Sequence, residues 1–277
     1  MDTSLIPPGF TLTNHILYGT TNDGMVMHLK LQRPDKKNAM YSEMYDTMNE
    51  VMLLAAKDPL VKALLIYGAN GNLSAGNDLK AALSSQKQRS KESFVKMFWD
   101  TVTFPKPLYY LVQGCCIGVV PPLVAYADFV YCTEDAYFVM PFMALNLATE
   151  GMSPITFPEL VGRRKAAEMI LTDVTLGAKE AVAKGFANGI VNGTIETEPI
   201  IGDPTKCIPG LKKLLQADIS TLMRAKELMT QGRSLERLQS VNKAEMDVVT
   251  EIYKSQLFKD TVDRYMKAAI NKGNPKL

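Results

Sequence analysis

The sequence predicts an α/β fold with a helical C-terminal region. Strand and helix patterns alternate from about residue 24 to residue 140, which argues for parallel strand pairing. From Pro154 onward almost every segment has helical apolar spacing, and no repeat or low-complexity linker interrupts the chain. With 277 residues, 47% of them hydrophobic and 22% charged, the chain can bury a large core. It could form one large domain or a domain with a helical appendage.

The elements follow in order. "GMVMHLKLQRP" reads as a strand ending at Pro34, and its period-two alternation assigns His28, with Lys30, to a solvent-facing side. "YSEMYDTMNEVMLLAAKD" reads as an amphipathic helix with Ser42 as its cap. Its stripe of Met44, Met48, Val51, Met52 and Ala55 reads as core filler. "VKALLIYG" is a buried strand that runs into the loop "GANGNLSAGNDLK". A charged helix around residues 90–102 comes next, then the strand "PLYYLVQG", the turn "CCIG" and a short apolar helix. "DFVYCT" and "AYFVM" are the next strands. Beyond them, "FPELVGRRKAAEMILT", "GLKKLLQA", "STLMRAKELM", "SLERLQSVNKAEMDVVTEIY" and "FKDTVDRYMKAAINK" read as helices.

Composition excludes several functions. A net charge of +2 is too small to make nucleic acid or an anionic membrane the main partner. Cys115, Cys116, Cys132 and Cys207 form no C-x-x-C pair, so neither a zinc site nor a disulfide scaffold is expected. With only His15 and His28, a His-centred triad or multi-His metal site is not expected either. "MDTSLIPPGF" lacks the apolar core of a signal peptide, and no stretch is long enough to span a bilayer. The terminal Pro275-Lys276-Leu277 is similar to a peroxisomal S-K-L address, which would make an import receptor a partner.

Three segments could carry chemistry. "LSAGNDLK" and "VQGCCIGVVPP" each follow a strand and turn at Gly76 and Gly118, where backbone N–H groups can receive an oxyanion; simple turn glycines would look the same. Neither loop has the spacing of a P-loop or a dinucleotide fingerprint. The third segment is "LNLATEGMSP", with Glu150 as the sole carboxylate after the uncharged run from Tyr137 to Ala148. Glu150 is either a glutamate preceding a helix that starts at Ser153-Pro154, or an acid whose apolar company raises its pKa toward neutrality. Local sequence leaves both open.

Taken together, these segments resemble the crotonase (enoyl-CoA hydratase/isomerase) superfamily over roughly Gly24 to Leu171. "RPDKKNAM" resembles the family's R-P-x-x-x-N-A turn, and "LSAGNDL" its S-x-G-A-D loop. "VQGCCIGVVPPLVAYADFVYCTEDAYF" resembles its second Gly-rich loop with the helix and strands that follow. The resemblance implies a spiral of ββα units over residues 1–200, with residues 201–277 as a helical trimerisation or lid region, assembled as a homotrimer or hexamer. It also implies an acyl-CoA thioester as substrate and no separate cofactor, since coenzyme A arrives with the substrate.

The resemblance assigns the oxyanion donors to the backbone N–H groups of Asn77 and Val119, with Asn77 standing where the family usually has Ala. It gives Ala39, Lys37 (or Lys36), Ala75, Gly76, Asp78, Leu79, Gly118 and Phe142 to substrate binding, with Asp78 also bonding nearby amides. Phe258, Lys259 and Lys267 become candidates to close the site from this or a neighbouring subunit. The two hydratase glutamate positions hold Pro122 and Phe142 here. "PFMALNLATEG" instead matches the P-F-x-x-L-x-L-x-T-E-G pattern of fungal and yeast peroxisomal Δ3,Δ2-enoyl-CoA isomerases, which makes Glu150 the proton shuttle. Phe142, Leu145, Leu147 and Met152 would be its apolar company. Alternatives carried with this expectation are a hydratase, a dienoyl-CoA isomerase, a secondary-metabolite or toxin-pathway crotonase, and a catalytically silent acyl-CoA-binding subunit.

Overall fold

The computed structural model describes residues 6–84, 88–193 and 198–271. The chain opens with β1 (Thr11–Thr13), β2 (Ile16–Thr21) and β3 (Val26–Leu31), an antiparallel meander. Next, α1 (Ser42–Lys57) carries the chain over to β4 (Ala63–Gly68), which runs parallel to β3. The helices α2 (Leu79–Ser84) and α3 (Gln88–Val102) lead to β5 (Leu108–Val112), parallel to β4. The chain then leaves this sheet through β6 (Cys115–Ile117) and returns through α4 (Val120–Val124) to β7 (Phe129–Cys132), parallel to β5. A further strand, β8 (Tyr137–Val139), pairs with β6.

The helical half follows: α5 (Ser153–Val161), α6 (Arg163–Leu171), β9 (Leu176–Gly177), α7 (Ala178–Lys184) and β10 (Gly189–Ile190). The last helices are α8 (Glu198–Gly202), α9 (Leu211–Gln216), α10 (Ile219–Gln231), α11 (Leu235–Lys254) and α12 (Gln256–Asn271). Among the described residues the larger sheet has the order β1-β2-β3-β4-β5-β7-β10 and the smaller β6-β8-β9. No described helix is long and apolar enough to cross a membrane.

Both faces of the larger sheet are covered, and the residues of β4 show why its sequence is continuously apolar. Leu64 and Ile66 face the main core, with the Met stripe of α1, Phe98 of α3 and, from the tail helices, Leu238, Phe258 and Val262. Ala63, Leu65 and Tyr67 face a second core with Ile200, Ile208, Leu211 and Leu215. Every residue of the predicted stripe, Met44 to Ala55, is buried.

This double cover corrects the expectation for His28. Its side of β3 is not solvent-facing: His28 is fully buried, bonded to Thr21 Oγ1 at 2.8 Å and Tyr67 Oη at 3.3 Å. Burial pushes its pKa down to about 3, so it stays neutral. Other corrections are local. The N-cap of α1 is Tyr41, and Ser42 turns its hydroxyl to Glu43. "CCIG" begins with a strand, β6, because it pairs with β8 in the smaller sheet. "FPELVGRRKAAEMILT" breaks into two helices at Gly162, whose φ of 78° no helix continues. The strands β1, β2, β9 and β10 were not expected.

Candidate active site

Two backbone segments meet behind the site. The loop after β4 is tied to β6 by the Ser74 N–H to Cys115 O bond and the Ile117 N–H to Ser74 O bond, both 3.0 Å. The turn before α1 holds the same loop, since Met40 N–H donates to Gly76 O and Asp78 N–H to Met40 O, both at 2.7 Å. That bridge consumes the groups either side of Asn77 and leaves its own N–H facing away from Met40. On the second loop, Gly118 N–H donates to Val139 O at 2.9 Å, and Val119 follows as the N-cap of α4. Pro121 and Pro122 contribute no N–H, so the first turn of α4 presents few donors. Among the described residues, the N–H groups of Asn77 and Val119 have no acceptor.

Gly76 explains why the loops can approach. Its φ is +89°, and a Cβ there would lie 2.8 Å from Ile117 O and 3.6 Å from Gly118 Cα. Only glycine permits both the backbone conformation and the contact.

These loops form one wall of a cleft that is also lined by Ala39, Ala75, Asp78, Leu79, Ile117, Pro141, Phe142, Leu145, Leu147 and Glu150. Most of the sequence-predicted site residues are therefore brought together. Gly76 supports the wall from behind. Lys36, rather than Lys37, reaches the lining, while the Lys37 carbonyl accepts the Ala75 N–H at 2.9 Å. Phe258 is buried in the core and Lys259 and Lys267 point outward, so these do not close the cleft. Tyr253 of α11 and Tyr265 of α12 do. The pattern did not single them out because tyrosines at helical spacing look like ordinary half-buried residues.

The carboxyl of Glu150 lines the cleft without a hydrogen bond to a described residue, and the residue is 6% exposed. Phe142, Leu145, Leu147 and Met152 are all buried. Burial pushes the Glu150 pKa up to about 8, and the nearby Glu245 carboxyl acts in the same direction. The local alternatives thus describe one residue: Glu150 lies three positions before Ser153, the first residue of α5, and it is a buried acid.

Asp78, the other carboxylate in the cleft, is held differently. Burial would raise its pKa, but bonds from the Ala81 and Lys80 amides and from Arg33 bring it below the usual value. It remains an anion tied to its neighbours, so of these two cleft carboxylates it is Glu150 whose pKa lies near neutrality. Among the described residues, no three His, Cys, Asp or Glu side chains converge as metal ligands. Pro275-Lys276-Leu277 lies outside the described residues.

The enoyl-CoA hydratase/isomerase family model matches residues 21–271. The rat enoyl-CoA delta isomerase 2 is 32% identical over 232 residues, covering 81% of this chain and 57% of that protein. The mouse peroxisomal enoyl-CoA delta isomerase 3 is 33% identical over 189 residues, covering 65% of this chain and 58% of that protein. The chain therefore spans just over half the length of these animal relatives. The solved structure of OdaA from Pseudomonas aeruginosa superposes with a TM-score of 0.82 at 26% identity, over 92% of this chain and 99% of that one.

Proposed function

The chain belongs to the enoyl-CoA hydratase/isomerase family, and from that premise we propose that it is a Δ3,Δ2-enoyl-CoA isomerase acting in fatty-acid β-oxidation. The observation that carries this reading is the single unbonded, buried acid in the cleft, Glu150, which lines the same cleft as two unpartnered backbone donors. The hydratase positions, Pro122 and Phe142, cannot move a proton.

In this mechanism the thioester oxygen of a 3-enoyl-CoA accepts the N–H groups of Asn77 and Val119. Glu150 takes a proton from C2, and the electrons of the broken C–H bond delocalise into the carbonyl and the C3=C4 bond. The resulting dienolate bears its charge on the oxygen that the two donors hold, where one such donor contributes about 3–4 kcal/mol to lowering the barrier. Glu150 then returns the proton to C4, leaving the trans-2-enoyl-CoA with no net gain or loss of atoms. The reaction needs no cofactor beyond the coenzyme A of the substrate. The elevated pKa suits a group that must both accept and give back a proton.

The purified protein should convert 3-enoyl-CoA to the conjugated ester, seen as a rise in thioester absorbance, without forming 3-hydroxyacyl-CoA from 2-enoyl-CoA. Glu150→Gln should still bind acyl-CoA and lose about 10²–10⁴-fold in turnover. Undiminished turnover in that variant, or efficient hydration by the native chain, would overturn the reading.

A peroxisomal location belongs to the same proposal. It is supported by the peroxisomal mouse relative and by the resemblance of Pro275-Lys276-Leu277 to an import address. A fluorescent fusion carrying or lacking that tripeptide tests it. Assembly into trimers or hexamers is proposed on the family resemblance, with exposed Leu228 and Met229 on α10 as apolar surface available to it.

A further inference from the structure

Glu245 is a buried carboxyl to which the proposed mechanism gives no role. It lies mid-way along α11 on the inward stripe formed with Leu238, Asn242 and Val249, and it is 7% exposed. An acid in such a stripe loses hydration and persists only if something compensates. Its Oε2 accepts the backbone N–H of Met152 at 2.9 Å, and its Oε1 has no partner.

The donor is two residues beyond Glu150. Gly151 and Met152 adopt successive left-handed conformations, φ 69° and 58°, a costly arrangement for a methionine. Three bonds from different elements hold this turn. Ser153 Oγ donates to Glu150 O at 2.9 Å, Tyr126 Oη to Gly151 O at 3.2 Å, and Met152 N–H goes to Glu245. A Cβ on Gly151 would meet the Phe98 ring at 2.5 Å and Pro122 at 2.6 Å, so the turn has no room to relax toward them.

We propose that Glu245 is a positioning residue for Glu150: it clamps the Glu150–Met152 turn from the C-terminal helix and serves as the second carboxyl of a coupled pair. The inference rests on the reading of Glu150 as the proton shuttle. Tyr45 of α1 and Tyr253 of α11 interact with Glu150, and Tyr126 beside α4 with Glu245. Arg233 lies over the Tyr126 ring at 5.8 Å, with Glu159 of α5 acting on the same tyrosine. None of these is bonded to either carboxyl. Burial raises Glu245 to about 7 against the Met152 bond, which favours its anion. The Met152 N–H stabilises the Glu245 anion and no described residue bonds the Glu150 carboxyl, so Glu245 ionises first and its charge opposes ionisation of Glu150.

The test uses the full chain without substrate, with the glutamate carboxyl carbons labelled and followed by NMR from pH 4 upward. The native protein should show two high midpoints, and Glu150→Gln and Glu245→Gln one each. The summed native midpoints should exceed the sum of the single-variant midpoints by on the order of one pH unit. A sum with no excess would overturn the coupling. Glutamine can still accept the Met152 N–H, so Glu245→Gln removes the charge and keeps the clamp. Its kcat/KM profile should then rise at lower pH than the native one, whereas a purely structural role would lower the rate equally at every pH.

Should Glu245→Gln fail to fold, the Met152 amide resonance decides. It should move with the lower midpoint in the native chain and with the single remaining midpoint in Glu150→Gln, and an amide that ignores that step would overturn the clamp. Absence of isomerase activity in the native chain would refute the functional reading while leaving these substrate-free titrations interpretable.

Discussion

The Tyr45 hydroxyl donates to the side-chain oxygen of Asn77, joining α1 to the loop that presents the first proposed oxyanion donor. Tyr45 is buried, and its ring packs edge-on against Phe94, which packs edge-on against Phe98. The family's usual alanine at this position could accept no such bond. Here the side chain of Asn77 is fixed from α1, and its main-chain N–H is fixed with it. Burial, with Glu150 adding to it, holds Tyr45 well above its ordinary pKa, so it remains a donor throughout the working range.

Tyr45→Phe therefore removes one neutral hydrogen bond while keeping the packing. We expect kcat/KM for a 3-enoyl-CoA to fall about three- to tenfold, as one net hydrogen bond dictates. The loss should appear mainly in kcat, because the bond orients a group that acts in the transition state. Steady-state kinetics of the variant check this. A change confined to KM would place Tyr45 in substrate binding instead.

Gly76→Ala addresses the backbone itself. A left-handed alanine costs about 1–3 kcal/mol, and its Cβ would press on the Ile117 carbonyl at 2.8 Å. The loops should part, and turnover should drop by about 10²-fold or more if one donor is displaced. Thermal melting and turnover of the variant, measured side by side, separate the stability cost from the loss of geometry.

The sequence made the front of the molecule legible because its signals are local. The Met stripe of α1, the apolar run of β4 and the two strand-to-loop glycines all obey short periodicities, and the structure has these elements in place. What it obscured depends on partners distant in the chain. His28 sits at a position that alternation assigns to a polar side, and only the residues covering the second face bury it. β6 is three residues long and owes its strand character to β8. Glu245 did leave a trace, as a carboxylate on the stripe shared with Leu238 and Val249, but a charged residue there is conspicuous only once α11 is known to face the core. Tyr253 and Tyr265 reach the cleft because the last two helices fold back over it, which no helical period announces.

The docking of that tail depends partly on one buried ion pair. Lys226 Nζ lies 2.6 Å and 2.5 Å from the two oxygens of Asp128, with side chains 5% and 8% exposed. Asp128 Oδ2 also accepts the Leu108 N–H at 2.8 Å, tying α10 to the start of β5. Lys226→Met would leave the carboxylate buried and without its cation, a loss of about 3–5 kcal/mol. Chemical denaturation should show that loss. The double variant with Asp128→Asn should recover part of it, since no uncompensated charge would remain.

Stability should also depend on Glu150, with a sign opposite to that of a paired carboxylate. Its folded pKa of about 8 is above the ordinary 4.5, so between those values the folded state binds more protons than the unfolded one. The contribution of Glu150 is fully favourable below about pH 4.5, declines as pH rises through that window, and levels off above about pH 8. Glu150→Gln is neutral at every pH and escapes the penalty. We expect the variant to match the native chain near pH 4 and to exceed its stability near pH 9 by about 2–4 kcal/mol, from 1.36 kcal/mol per pKa unit discounted for relaxation of the site. Melting curves of both proteins across that range check the sign directly. An inactive variant that is more stable only in alkali would identify Glu150 as a group whose burial disfavours its charged form. Equal melting at every pH would instead mean that the carboxyl ionises in the folded cleft as easily as in water.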